Sequence, residues 1–307
     1  MKKMKHTVPL TVPLKQKKEY LSNYAKVTHK SNNLFLFAAD QKIEHLNKDF
    51  YGEDIPKECN NPEHLFKIAQ ESKIGAFATN LGLVARYGKK YKKVNYIIKL
   101  NAKTNIVPTE QKDPLSTILY SVEDIVQLKE ESKLSIVGVG YTIYLGSTFE
   151  SKMLHEAAQV VLQAHKHGLL AILWIYPRGK AVKQERTEEI IAGAAGVGAC
   201  LGADFVKVNP PLTKNNLKNA ELLQQATTAA GNTKVICAGG TKITNLELLN
   251  TVHDQITLGK TSGCAIGRNI FQNNLEDAII LCEALASVII DGKDVAHAKK
   301  LLKNRTR

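Results

Sequence analysis

Ala203-Asp204-Phe205-Val206-Lys207-Val208-Asn209-Pro210-Pro211 reads as a short buried strand with a lysine in it. Val206 and Val208 are β-branched, and Pro210-Pro211 ends the strand because proline cannot donate to a ladder. Gly202 sets it off from the helix-like run before it. Alternate residues of a strand share a face, so Phe205, Lys207 and Asn209 point one way and Val206 and Val208 the other. A charged lysine near the end of an apolar strand is expensive to desolvate. The remedies are a partner carboxylate, a bound anion, or a lowered pKa that leaves the amine neutral. A neutral amine is a nucleophile, able to form a Schiff base with a carbonyl compound. The bland alternative is a lysine that snorkels to the strand end and pairs with an aspartate.

Outward from this stretch the chain repeats one pattern. Apolar strands are predicted at Leu34–Ala39, Ile74–Thr79, Asn95–Leu100, Leu134–Val139 and Leu169–Tyr176. The lysine strand is sixth, and Lys234–Ala238 and Ser262–Ile266 complete the set. Amphipathic or small-residue helices fall between them, the last at Asn273–Val288. The strands are short and almost wholly apolar, as when both faces are covered. Eight strand–helix repeats predict an α/β fold, a single (β/α)8 TIM barrel rather than an open doubly wound sheet. The barrel is placed at 31–290. A basic N-terminal arm and short helix occupy 1–30, and a basic C-terminal tail 291–307. The arm up to about Pro13 reads as flexible or loosely docked. The polar stretch Asn101–Tyr120 is longer than most connections, which makes it a candidate functional loop.

The formal net charge of +13 among 307 residues favours anionic partners. The lysines are spread over several exposed clusters, including the arm, Lys89–Lys93 and Lys299-Lys300. No basic stripe with interleaved aromatics is visible, so nucleic acid is not the expected partner. Cys59, Cys200, Cys237, Cys264 and Cys282 are widely spaced. They form no metal-ligand pattern, so no metal is expected, and they fit a reducing cytoplasm. No stretch has the length and apolarity of a membrane helix, and no membrane partner is expected. His155, His165 and His167 look like surface residues of the helix before strand five.

In such a barrel, chemistry gathers at the C-terminal ends of strands. Strand one ends in Asp40-Gln41-Lys42-Ile43-Glu44-His45 and strand three in Lys99-Leu100-Asn101. Strand five ends in Trp174-Ile175-Tyr176-Pro177-Arg178-Gly179, and strand six in Lys207-Val208-Asn209. Strands seven and eight end in Ala238-Gly239-Gly240 and Gly267-Arg268-Asn269. Gly239 and Gly240 let backbone amides approach an anion, and Arg268 adds a fixed charge. Loops after strands seven and eight are a frequent phosphate site in this barrel. Tyr176 shares a face with Trp174, and a tyrosine beside a buried lysine can move protons. Asp40 can hold the lysine, either as a catalytic carboxylate or as a plain ion pair. Glu44 and His45 are equally readable as substrate contacts or structural donors.

These segments resemble the archaeal-type class I fructose-1,6-bisphosphate aldolases, the branch grouped with the deoxyribose-phosphate aldolases. The resemblance runs from about Asn33 to Leu285. It is carried by Ala39-Asp40-Gln41 with Glu44-His45, Trp174 to Gly179, Asp204 to Val208, Ala238-Gly239-Gly240, and Gly267 to Phe271. It implies a cytoplasmic carbon–carbon lyase. The reaction is reversible cleavage of fructose 1,6-bisphosphate to dihydroxyacetone phosphate and glyceraldehyde 3-phosphate, without a cofactor. Lys207 would form the Schiff base, Tyr176 would act as general acid/base, and Asp40 would assist beside the lysine. Trp174 would shape the pocket, and Arg178, Gly239, Gly240, Gly267 and Arg268 would hold phosphate. Ala238 stands where relatives often carry serine, which shifts phosphate binding toward backbone amides. Lys42 replaces a usual glycine, a change expected to alter substrate contacts. The resemblance also implies a homo-oligomer, with a decamer among the possibilities. Two rivals remain: another Schiff-base aldolase or synthase of the branch acting on a different sugar phosphate, and a non-catalytic anion- or nucleic-acid-binding barrel.

Overall fold

The computed structural model describes residues 6–45, 47–107, 110 and 112–303. Lys2, Lys3 and Lys5 of the basic arm, and the last four residues of the tail, lie outside them.

Eight parallel strands close into a barrel. They are β1 (Leu34–Ala38), β2 (Ala76–Asn80), β3 (Tyr96–Lys99), β4 (Ile136–Leu145), β5 (Leu170–Pro177), β6 (Phe205–Val208), β7 (Lys234–Ala238) and β8 (Gly263–Ile266). Neighbours in the chain are neighbours in the sheet, and β8 closes on β1 with Leu34 opposite Gly263 and Leu36 opposite Ala265. The helices are α1 (Lys17–Thr28), α2 (Pro62–Glu71), α3 (Leu81–Tyr87), α4 (Val122–Ser132), α5 (Glu150–Lys166) and α6 (Glu188–Cys200). They continue with α7 (Leu223–Ala230), α8 (Asn245–Thr257), α9 (Arg268–Phe271), α10 (Leu275–Ile289) and α11 (Val295–Lys303). The fold is that of a (β/α)8 barrel.

Capping side chains fix where several helices begin. Asn61 accepts from the Glu63 amide with Pro62 in the first turn, and Ser121 and Asp124 cap one another reciprocally. Thr187, Thr244 and Asn274 cap α6, α8 and α10. Each cap spends an otherwise orphaned amide, and so sets the length of the loop between the helix and the preceding strand.

Strand parity divides the apolar side chains into two layers. Leu36, Ala78, Ile97, Ile172, Trp174, Phe205 and Ile236 fill the barrel interior. Val206, Val208, Leu173, Ile175 and their counterparts pack outward against the helices. Lys207 therefore shares the interior face with Phe205, as alternation requires.

The N-terminal mouth is plugged. Tyr24 stacks on Phe205 at 5.7 Å between ring centroids, and Val12 of the arm is buried in the same cluster. Asp204 accepts from the Tyr20 hydroxyl, from the Ala171 amide at 2.7 Å, and stands 3.2 Å from His165 Nε2. His165 is thus fully buried, contrary to its surface assignment, because the carboxylate at the barrel floor draws it inward. Its other ring nitrogen meets Thr11 Oγ1 at 2.6 Å, so the described part of the arm is docked. His155 is exposed, as expected.

Two further stretches differ from their predicted form. β4 runs six residues beyond Val139. Gly138 and Gly140 are points of close approach within it. A Cβ on Gly140 would lie 2.2 Å from the Trp174 ring, and one on Gly138 would lie 2.6 Å from the Leu170 carbonyl oxygen. The second stretch is the expected tail, where residues 295–303 form α11, with Ala298 buried in the outer layer. The long polar loop is tied down as well. Asn101 and Ala102 pair antiparallel with Ile118 and Thr117, and the Asn101 amide donates to Ser116 and Thr142 carbonyls at 2.9 Å each. Among the described residues, no helix is long and apolar enough to cross a membrane.

Gly140→Ala is expected to destabilise the fold by about 1–3 kcal/mol, the usual cost of overpacking a filled core. Urea unfolding followed by emission of Trp174, the one tryptophan, measures it. Unchanged stability with unchanged emission would show that the indole is not seated on Gly140.

Candidate active site

Lys207 lies beside Trp174 of β5 and Ile236 of β7 in the strand register. It is 7% exposed. Among the described residues its ammonium makes no hydrogen bond and no ion pair. Its close neighbour is the Trp174 ring, 5.4 Å from Nζ to centroid. Burial pulls its pKa below the ordinary lysine value. Asp40 and Glu44 push the other way, while Lys99 and Arg268 add to the depression.

Asp40 begins a single turn just after β1. Its ion-pair partner is Lys99, at 3.9 Å, and not Lys207. The plain Lys207–Asp40 salt bridge that competed with a catalytic reading is therefore not formed. Asp40 Oδ1 is buried and has no hydrogen-bond partner among the described residues.

Tyr176 projects from β5 on the same face as Trp174, opposite Tyr144 of β4 in register. Their rings stand 6.5 Å apart. Burial, then the Asp40 and Glu44 carboxylates, raise the Tyr176 pKa well above the ordinary phenol. Tyr176 is therefore held as the protonated phenol. Trp174 forms a wall of the site, and its indole N–H is buried without a partner among the described residues. Arg178, just past β5, is exposed and pairs with Glu185 at 3.5 Å.

Behind the lysine lie the glycine turns. The Gly239 amide already donates to Ala265 at 2.9 Å, so it serves the barrel ladder rather than an anion. Gly240 follows at φ +71°, a conformation that glycine adopts without strain. Asn269 staples this turn, accepting from the Ile243 amide at 2.9 Å and donating to the Thr241 carbonyl at 3.1 Å. Arg268 NH1 stands 3.8 Å from Asp49 Oδ1, which holds the guanidinium over the mouth.

These elements enclose a cavity of about 210 Å³. Asp40, Trp174, Tyr176, Arg178, Lys207, Ala238, Gly239, Gly240, Gly267 and Arg268, all singled out in the sequence, line it. Glu44 and His45 line it too, as do Asp49, Thr142 and Tyr144, which the sequence did not mark. Thr142 and Tyr144 were hidden by the early end assigned to β4. Lys42, expected to alter substrate contacts, does not line the cavity; its ammonium stands 3.7 Å from the Phe50 ring centroid. The side chain of Gln41 lies outside the described ones. A larger cavity of about 350 Å³ lies behind the glycine turn, lined by Leu223, Leu248 and Val252, and neither Lys207 nor Tyr176 faces it. Among the described residues, no group of three or more His, Cys, Asp or Glu side chains is placed to hold a metal.

A closed parallel barrel with a buried, unpaired lysine at its C-terminal mouth offers an amine to a carbonyl compound. The sequence pattern of the DeoC/LacD family aldolases matches residues 34–273. A curated relative in Methanocaldococcus jannaschii, a fructose-bisphosphate aldolase/6-deoxy-5-ketofructose 1-phosphate synthase, is 53% identical over 98% of this chain and 96% of its own. A solved fructose-bisphosphate aldolase from Slackia heliotrinireducens shares 47% identity and superposes with a TM-score of 0.94, covering 97% of this chain and 94% of that one. An archaeal fructose-1,6-bisphosphate aldolase, solved with its catalytic lysine bound to the carbinolamine intermediate, shares 29% identity at a TM-score of 0.75, over 88% and 99% of the two chains. The chain belongs to the DeoC/LacD family and is a Schiff-base aldolase.

Arg268→Gln removes the fixed positive charge beside Gly240. Loss of a charge-assisted hydrogen bond of about 1.5–3 kcal/mol is expected to raise KM for a phosphorylated substrate roughly ten- to a hundredfold. Steady-state kinetics measure it, and an unchanged KM would place the phosphate elsewhere.

Proposed function

We propose that this protein cleaves fructose 1,6-bisphosphate reversibly into dihydroxyacetone phosphate and glyceraldehyde 3-phosphate through an imine on Lys207. The observation that carries the proposal is the Lys207 amine itself, buried in the barrel mouth with no ion pair among the described residues and its pKa drawn down by burial. Such an amine is neutral over a wider range of pH than a surface lysine, and only the neutral form attacks a ketone.

Lys207 adds to the C2 carbonyl to give a carbinolamine, and Asp40, with one buried oxygen unpartnered, lies beside it to assist loss of water. The resulting iminium accepts the electron pair of the C3–C4 bond as it breaks, leaving an enamine on the lysine. The C4 hydroxyl proton must leave in that step, and C3 must later gain one. Tyr176, a neutral phenol, gives its proton to the carbinolamine hydroxyl as that leaves as water; the phenolate so formed takes the C4 hydroxyl proton as the bond breaks and, a phenol again, returns a proton to C3. Gly240 and Arg268 bear one phosphate, and Arg178, which lines the same cavity, bears the other.

A second reading has its own support in the name of the Methanocaldococcus relative. A 6-deoxy-5-ketofructose 1-phosphate dissects into the same three-carbon ketone phosphate and a 2-oxoaldehyde. The same Lys207 enamine would serve both, the difference lying in the aldehyde it meets.

Cleavage assayed in EDTA over several sugar phosphates tests the proposal. The expected order has fructose 1,6-bisphosphate foremost; a faster synthase reaction with a 2-oxoaldehyde acceptor would favour the second reading. Lys207→Arg is expected to fold and to lose turnover by orders of magnitude, because a guanidinium forms no imine. Retained activity in that variant would sink the assignment. Tyr176→Phe is expected to lower kcat about 10²–10⁴-fold with KM little changed. A raised KM at constant kcat would instead make Tyr176 a binding residue.

A further inference from the structure

Among the described residues three lysines are buried; the steps above use Lys207, and Lys42 covers the Phe50 ring. The third, Lys99, ends β3 and is 2% exposed. It does not line the cavity. Its ammonium donates to the Asn101 carbonyl at 2.9 Å and stands 3.9 Å from Asp40 Oδ2. Asn101 is itself fixed, its amide bonded to the Ser116 and Thr142 carbonyls, so the platform under Lys99 is rigid. Lys99 also lies 5.5 Å from the centroid of the Trp174 ring that Lys207 approaches at 5.4 Å.

An ammonium at this depth requires a counter-ion and hydrogen-bond acceptors. Lys99 has both, and Lys207 has neither among the described residues. A single carboxylate serves the two cations, and the geometry gives it to Lys99. We propose that Lys99 is a positioning residue: by holding Asp40 as its own counter-ion, it keeps Lys207 out of an ion pair and leaves its amine free to attack. The proposal rests on Lys207 being the imine-forming lysine.

The charges facing Lys207 come from several elements. Asp40 and Glu44, after β1, favour its ammonium, while Lys99 from β3 and Arg268 after β8 disfavour it. The Tyr144 and Tyr176 phenols of β4 and β5 stay neutral. Without Lys99 one cation is lost, and Asp40 is released toward Lys207. Both changes favour the ammonium and move imine formation to higher pH.

The test is the pH profile of imine formation. Protein and fructose 1,6-bisphosphate are mixed in EDTA, reduced with borohydride at timed intervals, and the adduct on Lys207 is quantified by mass spectrometry. Lys99→Met is expected to shift the acid limb to higher pH and to slow trapping at neutral pH by about tenfold or more. Lys99→Arg keeps the charge and is expected to keep the limb near its original place. Adding Asp40→Asn to Lys99→Met is expected to return the limb toward that of the unmodified protein. The limb's position, not its height, is decisive, because Asp40 also assists dehydration. A purely structural Lys99 would lower stability and leave the limb where it was, and that result overturns the proposal. So does a shifted limb that Asp40→Asn fails to restore. Lys99→Gln provides the same comparison should Lys99→Met not fold. An adduct on another lysine, or none, in the unmodified protein would refute the Lys207 reading itself, before any variant is made.

Discussion

A lysine inside a closed barrel is the constraint on which the rest of the structure turns. Water solvates a surface ammonium at no cost, whereas the interior of the β-barrel does not. Lys207 lies on the interior face of β6, and no carboxylate pairs with it among the described residues. The ionised form is the one that burial penalises, so the neutral amine is reached more readily here than on a surface lysine. Everything nearby conforms to that. Gly140 leaves room for the Trp174 indole, which forms a wall beside the amine. Lys99 occupies Asp40. Arg268 adds a fixed positive charge, which further disfavours a second cation.

The same strand anchors both ends of the barrel. Asp204 precedes β6 at the floor, where Tyr20, His165 and the Ala171 amide surround its carboxylate. Phe205 comes next, stacked on Tyr24 of α1. Lys207 follows two residues later on the same face, at the mouth. Three successive requirements, a satisfied buried anion, an apolar plug and an unsatisfied cation, are met within four residues. Burial of the first two holds the third in place without a direct contact to it. The docked arm and α1 belong to this arrangement, because they supply the aromatic rings that seal the floor.

Much of this was legible in the sequence, for identifiable reasons. Short apolar runs between helices report a doubly covered sheet, and the interior face of β6 followed from parity alone. Strand ends carried the polar residues because that is where a barrel opens, so Asp40, Tyr176, Arg178 and the glycine turns fell into one cavity. What escaped notice depended on packing. The fourth strand was ended at Val139, yet it runs on through Gly140, where the Trp174 ring comes too close for a Cβ. That error concealed Thr142 and Tyr144. Lys99 was noted at a strand end, but pattern could not tell which lysine Asp40 would take. His165 lies on a helix with a polar face. Only the carboxylate at the floor, distant in sequence, explains its burial. Lys42 looked like a change in the pocket, but a side chain's direction past a strand end is set by what it can cover, here the ring of Phe50.

The unpaired amine of Lys207 is the central claim, and the most direct measurement is to catch it in a covalent bond. The protein is incubated with fructose 1,6-bisphosphate in EDTA, reduced with borohydride, digested, and the peptides are mapped by mass. A single reduced sugar-phosphate or triose-phosphate adduct on Lys207, absent without borohydride, is the expected result. An unmodified Lys207 with several sugar phosphates tried, or an adduct that settles on Lys99 instead, would contradict it.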